Sequence, residues 1–245
     1  MTEQQAQVHD YLDALNDLLR ASNDEALRRD LAAEMQRARK ALRSGMLSRN
    51  LMPRRRHHRT WDVLGPSAKR EADYVYQRAD GRTAYIVRRV VLDDRSHPAH
   101  GEKGFAVLID NVWKEAEDIT EPLPYRLPEV QATKARGEPV FFVEGEKDVE
   151  ALRAHGITAT CNPGGVLENL DIGRHMKGAR VAIWPDRDVA GWMHAKAIAR
   201  HLAPHAASVR IIQPPAAVPL KGDVSDWIQQ GATRKQIIDH VQSQL

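Results

Sequence analysis

Val8, Leu12, Leu15 and Leu19 are spaced four, three and four residues apart, which aligns them on one face of a helix. Ser22 with Glu25 three positions later has the form of a capping box and predicts a second helix. Its apolar face is Leu27, Leu31, Met35, Ala38 and Leu42, and Gly45 supplies its stop. Residues 1–45 are expected to form a helical hairpin. The period then changes. Tyr74, Val75 and Tyr76 lead into the turn dipeptide Asp80-Gly81, and residues 84–92 alternate and cluster β-branched residues, the pattern of a β-hairpin. Another strand is expected over 104–109, followed by an irregular connection punctuated by Pro122, Pro124 and Pro128. From Pro139 onward, short apolar runs at 140–143, 157–161, 181–184 and 208–212 alternate with helical stretches at 148–155 and 190–202. Strands separated by helices predict a parallel sheet flanked by helices. The tail from Asp223 is expected to hold two short helices divided at Gly231.

Composition narrows the classes. The 245 residues are 42% hydrophobic and 28% charged, ordinary usage for a folded protein. The single cysteine, Cys161, excludes an internal disulfide and any Cys-rich zinc module, so no zinc is expected. The first residues lack a basic-then-apolar signal pattern, and no segment has the roughly 18 apolar residues of a membrane span. A soluble, cytoplasmic protein without a membrane partner is therefore expected.

The net charge of +3 is unevenly spread. Between Arg37 and Arg70 eleven lysines and arginines stand against one acid, Asp62, with Trp61, His57 and His58 among them. Arg54, Arg55 and Arg56 at its centre suit contact with a nucleic-acid backbone. A solvated basic linker has the same composition, and charge alone leaves both readings open. The two histidines lack co-ligands and read as surface residues.

In an open parallel sheet the functional crevice lies beyond the C-terminal ends of the strands. Three of those ends are acidic here: Glu144-Gly145 with Asp148 one turn later, Asp186-Arg187-Asp188, and Lys221-Gly222-Asp223. Any one of these acids alone reads as a helix cap. Together they would repel unless a cation neutralised them, and an oxygen-only donor set favours Mg²⁺ or Mn²⁺. Magnesium bridges carboxylates to substrate phosphates, which points to phosphoryl transfer with two ions, one activating the attacking oxygen and one stabilising the leaving oxygen. Gly145 is expected to serve a tight turn, and Gly164-Gly165 a close backbone approach.

Glu144-Gly145 and Asp186-Arg187-Asp188 resemble the TOPRIM domain shared by bacterial-type primases, topoisomerases and certain nucleases. The strings FFVEGEKDVEAL, PDRDVAG and KGDVSDW are similar to phage- and plasmid-type primases, including those fused to replicative helicases. YVYQRADGRTAYIVRR, Lys103-Gly104-Phe105 and YRLPEV resemble the N-terminal half of the primase catalytic core, so the likeness runs over residues 74–230. It implies that Glu144 acts as general base or metal organiser. Asp186, Asp188 and Asp223 would bind the divalent ions, with Asp148 contributing. Arg88, Arg89 and Lys103 would lie in a basic groove for template or incoming nucleoside triphosphate. Because Arg88 and Arg89 are adjacent on a strand, they should face opposite sides of the sheet. Lys147 reads either as a phosphate contact or as a solvated lysine.

The expected fold is thus α/β: a helical, basic region over 1–70, a small mixed β-rich subdomain over 71–137, and a TOPRIM domain with C-terminal helices over 138–245. The expected function is primer synthesis: nucleotidyltransfer making short RNA on single-stranded DNA with Mg²⁺ or Mn²⁺, with a replicative helicase or other replication protein as a possible partner. No phosphate loop of helicase type occurs in the sequence. The rival readings are a metal-dependent nuclease built on the same acids and a non-catalytic single-strand-binding accessory. A topoisomerase would need a tyrosine-bearing cleavage domain for which there is no room.

Overall fold

The computed structural model describes residues 9, 11–13, 15–17, 19–20, 25–44, 68–93, 101, 103–163 and 172–244. Arg54, Arg55, Arg56, His57, His58, Gly164 and Gly165 lie outside them. The elements in chain order are α1 (Glu25–Ser44), β1 (Ala68–Gln77), β2 (Thr83–Leu92), β3 (Lys103–Ile109), β4 (Val112–Lys114) and α2 (Leu127–Ala135). They continue with β5 (Pro139–Phe142), α3 (Glu146–Ala154), β6 (Ala159–Thr160), β7 (Arg180–Ile183), α4 (Val189–Leu202), β8 (Ser208–Ile211), α5 (Val224–Gln229) and α6 (Arg234–Gln242). The described residues between 9 and 20 are also helical. The chain is α/β, with one antiparallel sheet ordered β1-β2-β3-β4 and a second ordered β6-β5-β7-β8.

The antiparallel sheet follows from its hairpin. Gly81 takes φ +85°, a conformation that side-chain-bearing residues avoid, and Asp80 accepts the Arg82 amide at 3.0 Å to close the turn. β1 then pairs β2 with Tyr74 opposite Val87 and Tyr76 opposite Tyr85. The strand starts six residues earlier than Tyr74, because Ala68–Arg70 pair with Val90–Leu92 beyond an irregularity at Arg70/Ala72. Tyr76 stacks on Tyr85 with ring centres 4.8 Å apart and meets Tyr125 at 5.0 Å, a buried aromatic cluster under the sheet.

The connection expected to be irregular contains α2. Pro128 lies in its first turn, where a helix needs no N–H donor, so it starts the element instead of breaking it. Arg126 precedes it in the left-handed conformation, φ 58°, and its guanidinium donates to Glu150 at 2.6 and 2.9 Å. Tyr125 donates to the same carboxylate oxygen at 2.8 Å, which ties α2 to α3.

In the second sheet Phe141 and Val143 donate to the carbonyls of Thr158 and Thr160, each at 3.0 Å, the slanted ladder of a parallel pair. β6 is only two residues long. The Val140, Phe141, Phe142 and Val143 side chains and those of Val181, Ala182 and Ile183 are all buried, as runs covered on both faces must be.

The chain forms two compact units. One holds Met1–Arg55, Ile183–Arg200 and Arg210–Leu245; the other holds Arg56–Ala182 and His201–Val209. In the first, Tyr11, Leu12, Leu15, Leu27, Leu31, Met35 and Ala38 make one buried cluster, and Leu19, Val189, Trp192 and Met193 pack against it. The apolar stripes of the N-terminal helices are thus spent on α4 as well as on each other, and a Lys196–Asp17 ion pair fixes the contact at its edge. In the second unit the core includes the tyrosine cluster, with Leu127 and Val130 of α2 and Val149 and Leu152 of α3 also buried. No helix among the described residues is long and apolar enough to cross a membrane.

Candidate active site

Beyond β7, in the first unit, the chain runs through Trp184 and Pro185 into Asp186, Arg187 and Asp188. Trp184 is 2% exposed and its ring stacks on Trp227 of α5 at 5.8 Å. That contact joins the end of β7 to the helix that follows Asp223. Arg187 completes the join. Its amide donates to the Gly222 carbonyl at 2.8 Å, and the Lys221 amide donates to the Arg187 carbonyl at 3.0 Å. This reciprocal pair lashes the Asp-Arg-Asp loop to the Lys-Gly-Asp loop. The Arg187 side chain, 7% exposed, turns inward and donates to the carbonyls of Ala216, at 3.2 Å, and Val218. Burial lowers its pKa from the usual arginine value.

Asp188 and Asp223 are oriented by caps of their own. Oδ1 of Asp188 accepts the Gly191 amide at 2.7 Å at the start of α4, and its Oδ2 accepts no hydrogen bond among the described residues. Oδ1 of Asp223 accepts the Asp226 amide at 3.0 Å and the Ser225 hydroxyl at 2.6 Å, while the Asp226 carboxylate accepts the Asp223 amide at 3.0 Å, a reciprocal capping box. Gly191 is required by space: a Cβ there would lie 2.6 Å from the Asp186 carbonyl oxygen and 2.7 Å from its amide nitrogen. Gly222 is enclosed likewise, 2.6 Å from Pro219. Asp186, Asp188 and Asp223 are therefore held on two loops that cannot move independently. A cavity of about 430 Å³ opens beside Asp188, lined on its other side by the N-terminal helices.

Glu144, Lys147 and Asp148 belong to the second unit, at the exit of β5 and the first turn of α3. Asp148 is 5% exposed and Glu146 3%. Lys147 Nζ lies 3.7 Å from Asp148 Oδ1. Tyr76 donates to Glu146 at 2.8 Å and lies 3.9 Å from the buried Cys161 sulfur, and burial raises both the tyrosine and the thiol well above their ordinary values. Gly145 departs from expectation. Its φ of −143° is one any residue adopts, and the nearest atom to a Cβ is Asp148 Oδ2 at 3.9 Å, so the turn does not require glycine.

Arg88 and Arg89 take separate partners, as neighbours on a strand must. Arg88 forks onto both oxygens of Asp73 at 2.8 Å and lies 4.4 Å over the Trp113 ring, whereas Arg89 pairs with Glu71 at 2.7 Å. The fork holds the Asp73 carboxyl below its usual pKa. Lys103 is exposed at the start of β3.

Sequence reasoning missed the role of Arg187, the spacer of the Asp-x-Asp triplet, and that of Glu146. No periodicity marks either. It also missed Lys221 as a conformational outlier, with φ 61°.

Among the described residues no three His, Cys, Asp or Glu side chains are gathered so as to hold a metal ion. Magnesium does not need such a cage, since it takes one or two carboxylates and completes its octahedron with waters and substrate phosphates. The oxygen-only donors Asp186, Asp188 and Asp223 fit that mode.

No family model matches the sequence, and no curated protein matches it. Among solved structures, the Aquifex aeolicus primase (zinc-binding and RNA polymerase domains) is 17% identical at a TM-score of 0.51, over 99% of this chain and 62% of that one. A DNA primase domain from Pseudomonas aeruginosa is 16% identical at a TM-score of 0.49, over 74% and 52%. The RNA polymerase domain of Mycobacterium tuberculosis primase DnaG is 14% identical at 0.47, over 96% and 83%. The chain spans between half and two thirds of the first two structures' length. The Aquifex likeness is one of fold.

Proposed function

We propose that the chain is a primase-type nucleotidyltransferase of the TOPRIM kind, joining ribonucleotides on a single-stranded DNA template with Mg²⁺ or Mn²⁺. The observation that carries this reading is the reciprocal backbone tie between Arg187 and residues 221–222, which holds the loop bearing Asp186 and Asp188 against the loop bearing Asp223. The primase-like fold supports it. A divalent cation bound there would neutralise the charge that develops on the transferring phosphate and on the departing pyrophosphate. The chain's own part is positional. Asp186, Asp188 and Asp223 present hard oxygens from loops that cannot drift, so little reorganisation accompanies reaction. Glu144 is assigned the proton of the attacking 3′-hydroxyl or the ordering of the cation's ligands. Lys103 and the basic stretch including Arg54, Arg55 and Arg56 are assigned to the template backbone, with Arg88, Arg89 and Lys147 as further candidates. Arg88 and Arg89 would have to exchange their carboxylate partners for phosphates to take part. A replicative helicase is a candidate partner in the cell.

Incubation with single-stranded DNA, labelled ribonucleotides and Mn²⁺ tests the reading. Labelled oligoribonucleotides built from monomers are expected. Shortened DNA without new oligonucleotides would assign the acids to a nuclease, and retained but unaltered DNA would leave a binding protein.

A further inference from the structure

The cavity beside Asp188 is walled by the N-terminal helices, which supply Tyr11, Asp30, Glu34 and Arg37, with Lys221 at its rim. Its volume of about 430 Å³ lies within the range of small-molecule sites. Two cations stand in it with different histories. Lys221 is exposed and, among the described residues, makes no ion pair, yet its backbone is held at φ 61°, where a side chain is disfavoured by about 1 kcal/mol or more. The bonds between residues 221–222 and Arg187 impose that conformation. A glycine would satisfy the turn without strain, so the backbone gives no reason for a lysine. Arg37 is fixed from the other wall: its Nε, at 2.9 Å, and its Nη2 both donate to Glu34, the same carboxylate accepts the Tyr11 hydroxyl at 2.9 Å, and, among the described residues, Nη1 is left to meet a phosphate. The third cation, Arg187, is consumed by backbone carbonyls.

The cavity lining is charge-balanced, with Asp30, Glu34 and Asp188 against these three cations, so it offers a bare polyanion no net attraction. It suits one whose charge is partly cancelled by a chelated divalent ion. We propose that the N-terminal helices complete a polyphosphate pocket, in which Lys221 and Arg37 hold the phosphates of an incoming nucleoside triphosphate beside Asp188. The assignment rests on the nucleotidyltransfer reading and gives the N-terminal helices a part in substrate binding.

Calorimetric titration of the full chain with ATP, GTP and inorganic pyrophosphate in MgCl₂ tests it, comparing wild type with K221G and R37Q. Each variant is expected to weaken all three ligands by about tenfold or more, the size of one charged hydrogen bond. K221G should keep or raise the melting temperature, since it relieves the left-handed residue. Tighter binding of the triphosphates than of pyrophosphate identifies a nucleotide as the ligand. The pocket is overturned if wild type binds none of the three, if both variants bind as wild type does, or if they weaken only single-stranded DNA. It is also overturned if K221G loses affinity and stability together. Nucleotide KM during primer synthesis separates the two proposals. Lys221- and Arg37-dependent binding without primers defeats the reaction and keeps the pocket, whereas primers made with unchanged KM by both variants defeat the pocket and keep the reaction.

Discussion

Arg187 shows what a motif conceals. The sequence pattern marks the two aspartates and treats the residue between them as a spacer, yet its amide, carbonyl and guanidinium all bond to the segment 216–222. A strand-end pattern identifies exposed chemistry; a buried cation donating to carbonyls has no period and no motif. The basic residues of the hairpin were legible as charges, but their partners were not, because Asp73 and Glu71 meet Arg88 and Arg89 only through strand pairing. The Asp73 pair has a measurable pH signature. The Arg88 fork lowers the Asp73 pKa from 3.8, so the folded state binds this proton more weakly than the unfolded chain does. The resulting stability is complete above that value and is lost as pH falls through the lower, folded one. Asp73→Asn should cost about 1–2 kcal/mol at neutral pH. In thermal melts its stability should decline less steeply than the wild type's between about pH 5 and pH 3. Parallel curves would show that the ion pair contributes nothing.

Among elements, the hairpin, the buried strands, α4 and the divided C-terminal helices were legible because each has a strong period and a marked end: Asp80-Gly81, the apolar runs, and Gly231 at φ +97°. α2 was not. Its sequence has no amphipathic face, and Pro128 reads as a breaker unless the first turn is already known. The start of β1 was hidden for a different reason, since Ala68–Arg70 are strand only by pairing with β2. Close packing between elements supplies a further test. Gly191 in the first turn of α4 lies against the Asp186 backbone, and a Cβ would meet it at 2.6 Å. Gly191→Ala should therefore push the Asp-Arg-Asp loop from its place and lower primer synthesis by about 100-fold, as a displacement near 1 Å can. Circular dichroism should remain that of a folded protein. Wild-type turnover by this variant would show that the loop position is not critical.

For the molecule as a whole, α/β architecture was legible from the alternation of strands and helices, and the fold is shared with the Aquifex primase at 17% identity. What the sequence could not display is where the N-terminal stripe would be spent. Leu12, Leu15, Leu27 and Leu31 announce two helices, but that their bundle recruits Val189, Trp192 and Met193 and walls a cavity beside Asp188 depends on contacts some 170 residues apart. The same folding brings the Asp186–Asp188 and Lys221–Asp223 loops together as one bonded unit. The measurement closest to the heart of the account is ribonucleotide incorporation on single-stranded DNA by wild type and by an Asp186→Ala/Asp188→Ala double variant, with DNA retention followed on the same preparations. Loss of incorporation by about three orders of magnitude or more with retention unchanged is the expected result. Incorporation by the double variant at the wild-type rate would contradict it.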